Sequence, residues 1–245
     1  MKAIILNAGE GRRLRPLTIS KPKCLLKLNK VTILEHQLTN IAKSGIKEVI
    51  MVVGYHANQI IEKVKEMSLN LKFKFIFNPI YYKTNTAYSL WLARDFFKEC
   101  DFLYFNGDVV FHKDILERLL GAHYDTCVAV KRTAVGEEEV KVILKSEMVK
   151  GIGKEIDWAK ASGEFIGIAR FSKSFNSLFI DKLKEVVSQG MINEFFEAAL
   201  NRTLKSYNVY AIDVSDLPCI EVDTYEDFNV AKRIYSEIFK EKQKA

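Results

Sequence analysis

The chain of 245 residues is 48% hydrophobic and 28% charged, with a formal net charge of +6 at pH 7. This is an ordinary globular composition, large enough for one big domain or two small ones, and no uninterrupted apolar stretch approaches the roughly 18 residues of a membrane span. The positive charge is concentrated: within residues 1–30, Lys2, Arg12, Arg13, Arg15, Lys21, Lys23, Lys27 and Lys30 face the single acid Glu10, a focus that suits a compact polyanion such as a triphosphate and not the long face of a nucleic acid.

In chain order, Lys2–Asn7 reads as a buried strand running into a glycine-rich loop. Thr32–Ser44 is predicted as a helix with Thr32 as N-cap and Gly45 just past its end,. Glu48–Val53 is a second strand, Ala57–Met67 a helix, and Lys72–Phe77 a strand in which charged and apolar residues alternate,. Asn78-Pro79 breaks that strand. Thr86–Phe97 is an apolar helix and Phe102–Phe105 a fourth strand, ending at Asn106-Gly107-Asp108. This alternation implies parallel strands with helices on both faces. The second half changes character. Thr126–Lys131, Val140–Leu144, Met148–Ile152 and Phe165–Phe171 are strand-like runs joined by short turns, hence antiparallel. Helices follow near Ser177–Ser188 and Ile192–Leu204, then a strand near Tyr207–Ile212 and a C-terminal helix from Tyr225. No linker and no repeat divides the chain. The reading is a single domain over 1–245, with a nucleotide-binding half (1–125) and an acceptor-binding half (126–245).

Cys24, Cys100, Cys127 and Cys219 form no CxxC pair, and no two histidines have metal-ligand spacing. Reduced thiols in a cytoplasm, and no zinc site, are the expectation. The N-terminal Met-Lys-Ala-Ile-Ile-Leu-Asn is too short an apolar run for a signal peptide.

Loops at the C-terminal ends of parallel strands bind ligands in such sheets, and residues 6–18, Leu-Asn-Ala-Gly-Glu-Gly-Arg-Arg-Leu-Arg-Pro-Leu-Thr, stand in that place. A P-loop needs GxxxxGK[ST], which is absent. A dinucleotide fingerprint needs a third glycine where Leu14 stands, and an acid after the second strand, which ends Val53-Gly54-Tyr55. What remains is a loop whose backbone N–H groups face phosphates because Gly9 and Gly11 lack Cβ atoms. Arg13, Arg15 and Lys23 supply charge-assisted contacts.

Asn7-Ala8-Gly9-Glu10-Gly11-Arg12-Arg13-Leu14-Arg15-Pro16-Leu17-Thr18 and Lys21-Pro22-Lys23-Cys24-Leu25-Leu26 resemble the signature of the nucleotidyltransferases, or sugar-nucleotide pyrophosphorylases, which join a phosphorylated small molecule to a nucleoside monophosphate. Thr84–Ala93, Phe105–Asp108, Ala161–Gly167 and Glu221–Thr224 resemble blocks of the branch that holds the phosphocholine and 2-aminoethylphosphonate cytidylyltransferases. Asn7 stands where the family usually has Ala, and Asn85-Thr86 where the branch often has two asparagines. The resemblance implies a Rossmann-like (GT-A-type) α/β domain with a mixed, mostly parallel central sheet and an antiparallel acceptor-binding portion. It also implies Mg²⁺-dependent transfer of CMP from CTP to phosphocholine, 2-aminoethylphosphonate or a polyol phosphate, with release of pyrophosphate. A homodimer is compatible with it. A sugar-1-phosphate nucleotidyltransferase using another triphosphate, and a non-catalytic nucleotide-binding regulatory subunit, are the alternatives.

Carried over residue by residue, the resemblance puts Arg13 on the β- and γ-phosphates and Lys23 between the α-phosphate and the incoming phosphate. Asn7, Ala8, Gly9, Gly11, Thr86, Ser89 and Gly107 line the nucleotide, and Asp108 and Asp223 hold the magnesium. Glu221 shares a strand face with Asp223 by its spacing but ranks below it as a ligand. Lys154 receives the acceptor phosphate. Glu164, with Trp158 or Tyr88 near it, receives a cationic head group through charge and cation–π contact. Trp91 and Leu92 read as core residues of an amphipathic helix. The attacking oxygen is already anionic at pH 7, so no general base is needed; positioning and cationic stabilisation carry the catalysis.

Overall fold

A computed structural model of the chain describes residues 1–241, so residues 242–245 of the expected domain lie outside the described residues. β1 (Lys2–Asn7) is buried beyond its first position. After the glycine-rich loop comes a short hairpin, β2 (Lys27–Leu28) and β3 (Val31–Thr32). α1 (Ile33–Lys43) starts where expected because its cap is reciprocal. Thr32 Oγ1 accepts from the Glu35 N–H at 3.1 Å, and Glu35 Oε2 accepts from the Thr32 N–H at 2.6 Å,. β4 (Glu48–Val53), α2 (Ala57–Glu66), β5 (Lys72–Phe77), α3 (Thr86–Phe97) and β6 (Phe102–Asn106) complete the alternation.

Strands β5, β4, β1 and β6 lie side by side in that order, all parallel. Side chains of α1 and α2 pack with one face, including Leu34, Leu38, Ile60 and Val64. Ala87, Leu90, Ala93 and Phe97 of α3 pack with the other. That double cover explains why β1 and β4 read as continuous apolar runs, whereas β5, at the edge, alternates.

Several short elements escaped the sequence reading, the hairpin strands β2 and β3 among them. β7 (Val109–Phe111) and α4 (Asp114–Gly121) follow β6 directly. β8 (Cys127–Lys131), β9 (Lys141–Lys145), β10 (Met148–Gly153) and β11 (Gly163–Phe171) match the expected strands within two residues. α5 (Lys173–Ser188) begins earlier than expected and α6 (Glu197–Thr203) later. The expected helix from Ile192 does not form because the carbonyls of Ile192 and Glu194 accept from the N–H groups of Asn85 and Ala87, at the start of α3. β12 (Tyr210–Asp213), β13 (Cys219–Glu221) and α7 (Tyr225–Glu241) end the chain.

β11 inserts antiparallel beside β6 and extends the sheet through β8, β12, β10 and β9. β12 runs parallel to β8; the other pairings there are antiparallel. The far end curls until β9 also pairs with β11, Gly163 opposite Val142 and Glu164 opposite Lys141. β13 pairs with β7 apart from the large sheet. A third apolar cluster, with Leu14, Leu28, Val110, Val222 and Phe228, packs α7 against this pair. No helix among the described residues is long and apolar enough to cross a membrane.

The turn between β6 and β7 is held from below by α1. Fully buried Gln37 donates through Nε2 to the carbonyls of Asn106 (2.9 Å) and Val109 (3.0 Å). Gln37→Met keeps the length and removes the donor, leaving two carbonyls unpaired. It should lower unfolding free energy by about 1–3 kcal/mol, read from urea denaturation. An unchanged midpoint would mean that the turn is secured by other contacts.

Candidate active site

A cavity of about 710 Å³ opens beyond the C-terminal ends of β1 and β6. Its near wall is the loop after β1, whose shape follows from local constraints. Gly11 has φ +60°, the left-handed region that disfavours other residues, and a Cβ there would press at 3.3 Å on both Lys23 and Thr18,. Thr18 Oγ1 donates to the Gly11 carbonyl at 2.8 Å. Tyr55 Oη donates to the carbonyls of Thr18 and Ile19 at 3.0 and 2.6 Å, and Gln59 Nε2 to that of Ser20 at 2.9 Å, so residues around α2 anchor the loop's return. Asn7, Ala8, Gly9 and Gly11 all line the cavity. Gly107 is required by close approach: a Cβ there would meet Asn7 Oδ1 at 1.8 Å and the Leu6 carbonyl at 2.5 Å. Asn7 Nδ2 is buried with no partner. Thr86 and Ser89 line the cavity too. Their hydroxyls are engaged internally, Thr86 Oγ1 with the Phe196 N–H (2.8 Å) and Ser89 Oγ with Asn78 Nδ2 (3.2 Å).

At the mouth of this loop the fold assembles four of the expected residues into one ionic cluster. Lys23 Nζ donates to Asp108 Oδ2 at 2.6 Å and to Asp223 Oδ1 at 2.8 Å. Arg13 reaches Asp223 Oδ2 at 2.7 Å with one nitrogen and Glu138 Oε2 at 3.0 Å with the other. Arg15 turns away toward Glu10, at 3.7 Å, and is not part of the lining. Pairing of Val109 with Glu221 brings the chain near residue 223 beside Asp108. Asp227 then fixes the following turn, its Oδ2 accepting from the N–H groups of Asp223 (3.1 Å) and Thr224 (2.8 Å). Burial works against the Lys23 charge, but Asp108 and Asp223 outweigh it and hold the ammonium well above the ordinary lysine range,. Glu221 accepts from Asn106 Nδ2 at 2.8 Å. Burial first, then Asp108 and Asp223, push its carboxyl well above the usual range.

On the far side, Lys154 and Glu164 line the cavity as expected. Trp158 and Tyr88 do not. Trp158 sits on an exposed turn over Trp158–Lys160 that Asp157 caps, and 62% of it faces solvent. Trp91 packs against the core as expected, with the Arg94 guanidinium 4.0 Å from its ring centroid, whereas Leu92 is half-buried and lies outside the apolar clusters. Lys131, Glu138, Glu139, Phe195 and Glu197 complete the wall, and sequence reasoning missed them. Lys154 Nζ lies 5.2 Å from the Phe195 ring centroid. One signal was available: Glu197 is a lone acid in the apolar run Phe195-Phe196-Glu197-Ala198-Ala199-Leu200.

The profile of the nucleotidyl transferase family matches residues 2–141, more than half of the chain. The chain belongs to the nucleotidyl transferase family. It is 25% identical to CTP:phosphoglutamine cytidylyltransferase of Campylobacter jejuni, covering 94% of this chain and 98% of the relative. It is 26% identical to choline-phosphate cytidylyltransferase of Streptococcus pneumoniae, covering 96% and 98%. The structure of the inositol-1-phosphate CTP transferase from T. maritima superposes with a TM-score of 0.82 at 22% identity, over 97% of this chain and 95% of that one. These relatives fall in the cytidylyltransferase branch that the motifs resemble, on the single mixed α/β fold expected.

Charges of both signs line the cavity of this nucleotidyl transferase. Arg13 and Lys23 stand with Asp108, Glu221 and Asp223 on the loop side, and Lys131 and Lys154 stand with Glu138, Glu139, Glu164 and Glu197 opposite. Glu197 is 3% exposed and its Oε2 has no partner. Burial pushes its carboxyl up to about 7, against the opposing pull of its own backbone N–H and of Lys154. Burial, and then Glu139, bring Glu164 to about 7 as well. A carboxyl raised in this way stays protonated in the folded chain where the unfolded chain has ionised. Its contribution is therefore present below the unfolded value of 4.5 and is lost as pH rises to about 7,. Glu197→Gln abolishes that loss. Its stability relative to the parent should be greater at pH 8 than at pH 4.5 by on the order of 3 kcal/mol, measured by urea denaturation at both pH values. A difference that does not change with pH would show that Glu197 ionises normally.

Proposed function

We propose that this nucleotidyl transferase moves CMP from CTP to a phosphate or phosphonate oxygen of a small molecule. The observation that carries the reading is the cluster of Arg13, Lys23, Asp108 and Asp223 at the mouth of the loop after β1. Full-length relatives named as cytidylyltransferases support the choice of CTP. The acceptor in this reading is phosphocholine, 2-aminoethylphosphonate or a polyol phosphate.

In the reaction, an acceptor oxygen bonds to the α-phosphorus, the bond from that phosphorus to the β-phosphate bridging oxygen breaks, and pyrophosphate leaves. The nucleophile arrives deprotonated, so no residue has to accept a proton. The obstacle is repulsion between two anions. Loop N–H groups, freed by Gly9 and Gly11, hold the triphosphate. Arg13 exchanges Glu138 and Asp223 for the β- and γ-phosphates, a guanidinium being suited to two-point contact. Lys23 draws the α-phosphate and the incoming oxygen together and offsets charge as it develops. Lys154 receives the acceptor phosphate, and Glu164 the acceptor's other end.

The donor set fits Mg²⁺, a hard ion that takes oxygen ligands. Asp108 and Asp223 both reach the Lys23 ammonium, so they stand close enough to share an ion, and Asp108 Oδ1 is buried with no partner,. When bound, the ion supplies further positive charge to the phosphates.

Lys23→Ala should reduce turnover roughly 10²-fold or more, the usual effect of deleting one pre-placed charge donor, in a pyrophosphate-release assay on protein whose circular dichroism matches the parent. Near-parental kcat would remove Lys23 from the chemistry. Activity should disappear with EDTA and return with Mg²⁺, and Asp108→Asn should raise the Mg²⁺ requirement steeply, since an amide replaces a carboxylate poorly on a hard cation. Parent-like Mg²⁺ titration of both Asp108→Asn and Asp223→Asn would move the metal elsewhere. The same assay, run with the four triphosphates against phosphocholine, 2-aminoethylphosphonate, inositol-1-phosphate and hexose-1-phosphates, tests the substrates. Pyrophosphate release with none of them would favour a regulatory subunit.

A further inference from the structure

Lys141 opens β9 and is 2% exposed. Its Nζ donates to three backbone carbonyls, those of Glu137 (2.7 Å), Glu139 (3.2 Å) and Lys154 (2.7 Å). The three N–H donors of an ammonium are thereby matched by three acceptors. Among the described residues it hydrogen-bonds to these carbonyls and takes part in no ion pair. Burying an ammonium opposes folding, whereas an apolar side chain of equal length would leave these three carbonyls unpaired,. That balance alone does not explain why an ammonium stands here.

Its placement does. In the pairing of β9 with β10, Lys141 stands opposite Gly153 on the last rung, and on its other side it stands opposite Glu164 of β11. Beyond that rung the two backbones part, into the connection over 132–140 and the turn that carries Lys154. The Lys141 side chain ties them together again. Both segments face the cavity, one with Glu138 and Glu139 and the other with Lys154. Glu138 in turn meets Arg13 of the nucleotide loop.

We propose that Lys141 is a positioning residue, an internal cation that binds the carbonyls of both segments and so sets where Glu138, Glu139 and Lys154 stand in the acceptor-side wall. It touches no substrate. The kinetic consequence rests on the acceptor reading given above; the structural one does not.

Lys141→Met tests it on two readouts. In hydrogen–deuterium exchange, amides in 136–140 and 153–156 should exchange about tenfold faster or more, while β1 and α1 stay as in the parent. In kinetics with CTP and either 2-aminoethylphosphonate or phosphocholine, the acceptor KM should rise roughly tenfold or more and the CTP KM should stay within about twofold of the parent. Val142→Ala, a core truncation next door, should lose stability without splitting the two KM values. Unchanged exchange in both segments, equal shifts of the two KM values, or the same split in Val142→Ala would overturn the proposal. Lys141→Gln, with two N–H donors on a shorter stem, is read in the same way if Lys141→Met does not fold; failure of both to fold would make Lys141 purely structural and end the proposal. A parent that uses neither acceptor would count against the acceptor reading, and the exchange result would still decide the clamp.

Discussion

Lys23 shares its ammonium between two aspartates that lie far apart in the sequence, and much of the architecture serves that contact. β6 must end beside β1 so that Asp108 reaches the loop, and their pairing, Leu6 opposite Asn106, does this. β13 must return to β7 so that Asp223 arrives from the other side. Gln37 secures the first approach from α1, and Asp227 the second from the start of α7. Three carboxyl groups, with Glu221, converge there with a single lysine in their midst. Two of them share it, and the third is held toward its neutral form. On the function we propose, this is where incoming phosphates compete with the carboxylates for Lys23.

The first half of the fold was legible because its signals are local and strong. β1 and β4 are buried on both faces and read as unbroken apolar runs, and α1 carries a complete capping box. The loop after β1 was legible for a related reason: its residues follow one another along the chain, at spacings that a family signature preserves. β7 and β13 were not, since three residues are too few to establish a period,. The start of α6 was misplaced because its expected first turn gives its carbonyls to α3 instead.

The opposite wall was harder still. Lys131 and Glu164 stand opposite each other on β8 and β11, and Lys154, just past the end of β10, joins them because the sheet curls until β9 reaches β11. Nothing in the local pattern announces that closure. Trp158 shows the same limit from the opposite direction: a tryptophan at a suggestive distance along the chain is carried outward by a capped turn. Phe195, in a stretch read as helix, is the aromatic residue that reaches the cavity wall on that side.

The curl also decides how this sheet ends. β9 pairs with β10 along its length and with β11 over its first two residues, so part of its outer side is already taken. The nine-stranded sheet therefore has one fully open edge among the described residues, at β5. Lys72 and Lys74 stand exposed along it, and lysines on an edge make a poor template for another strand. Closing part of one border and charging the other leaves a long, apolar-cored sheet with less opportunity to grow into its neighbours.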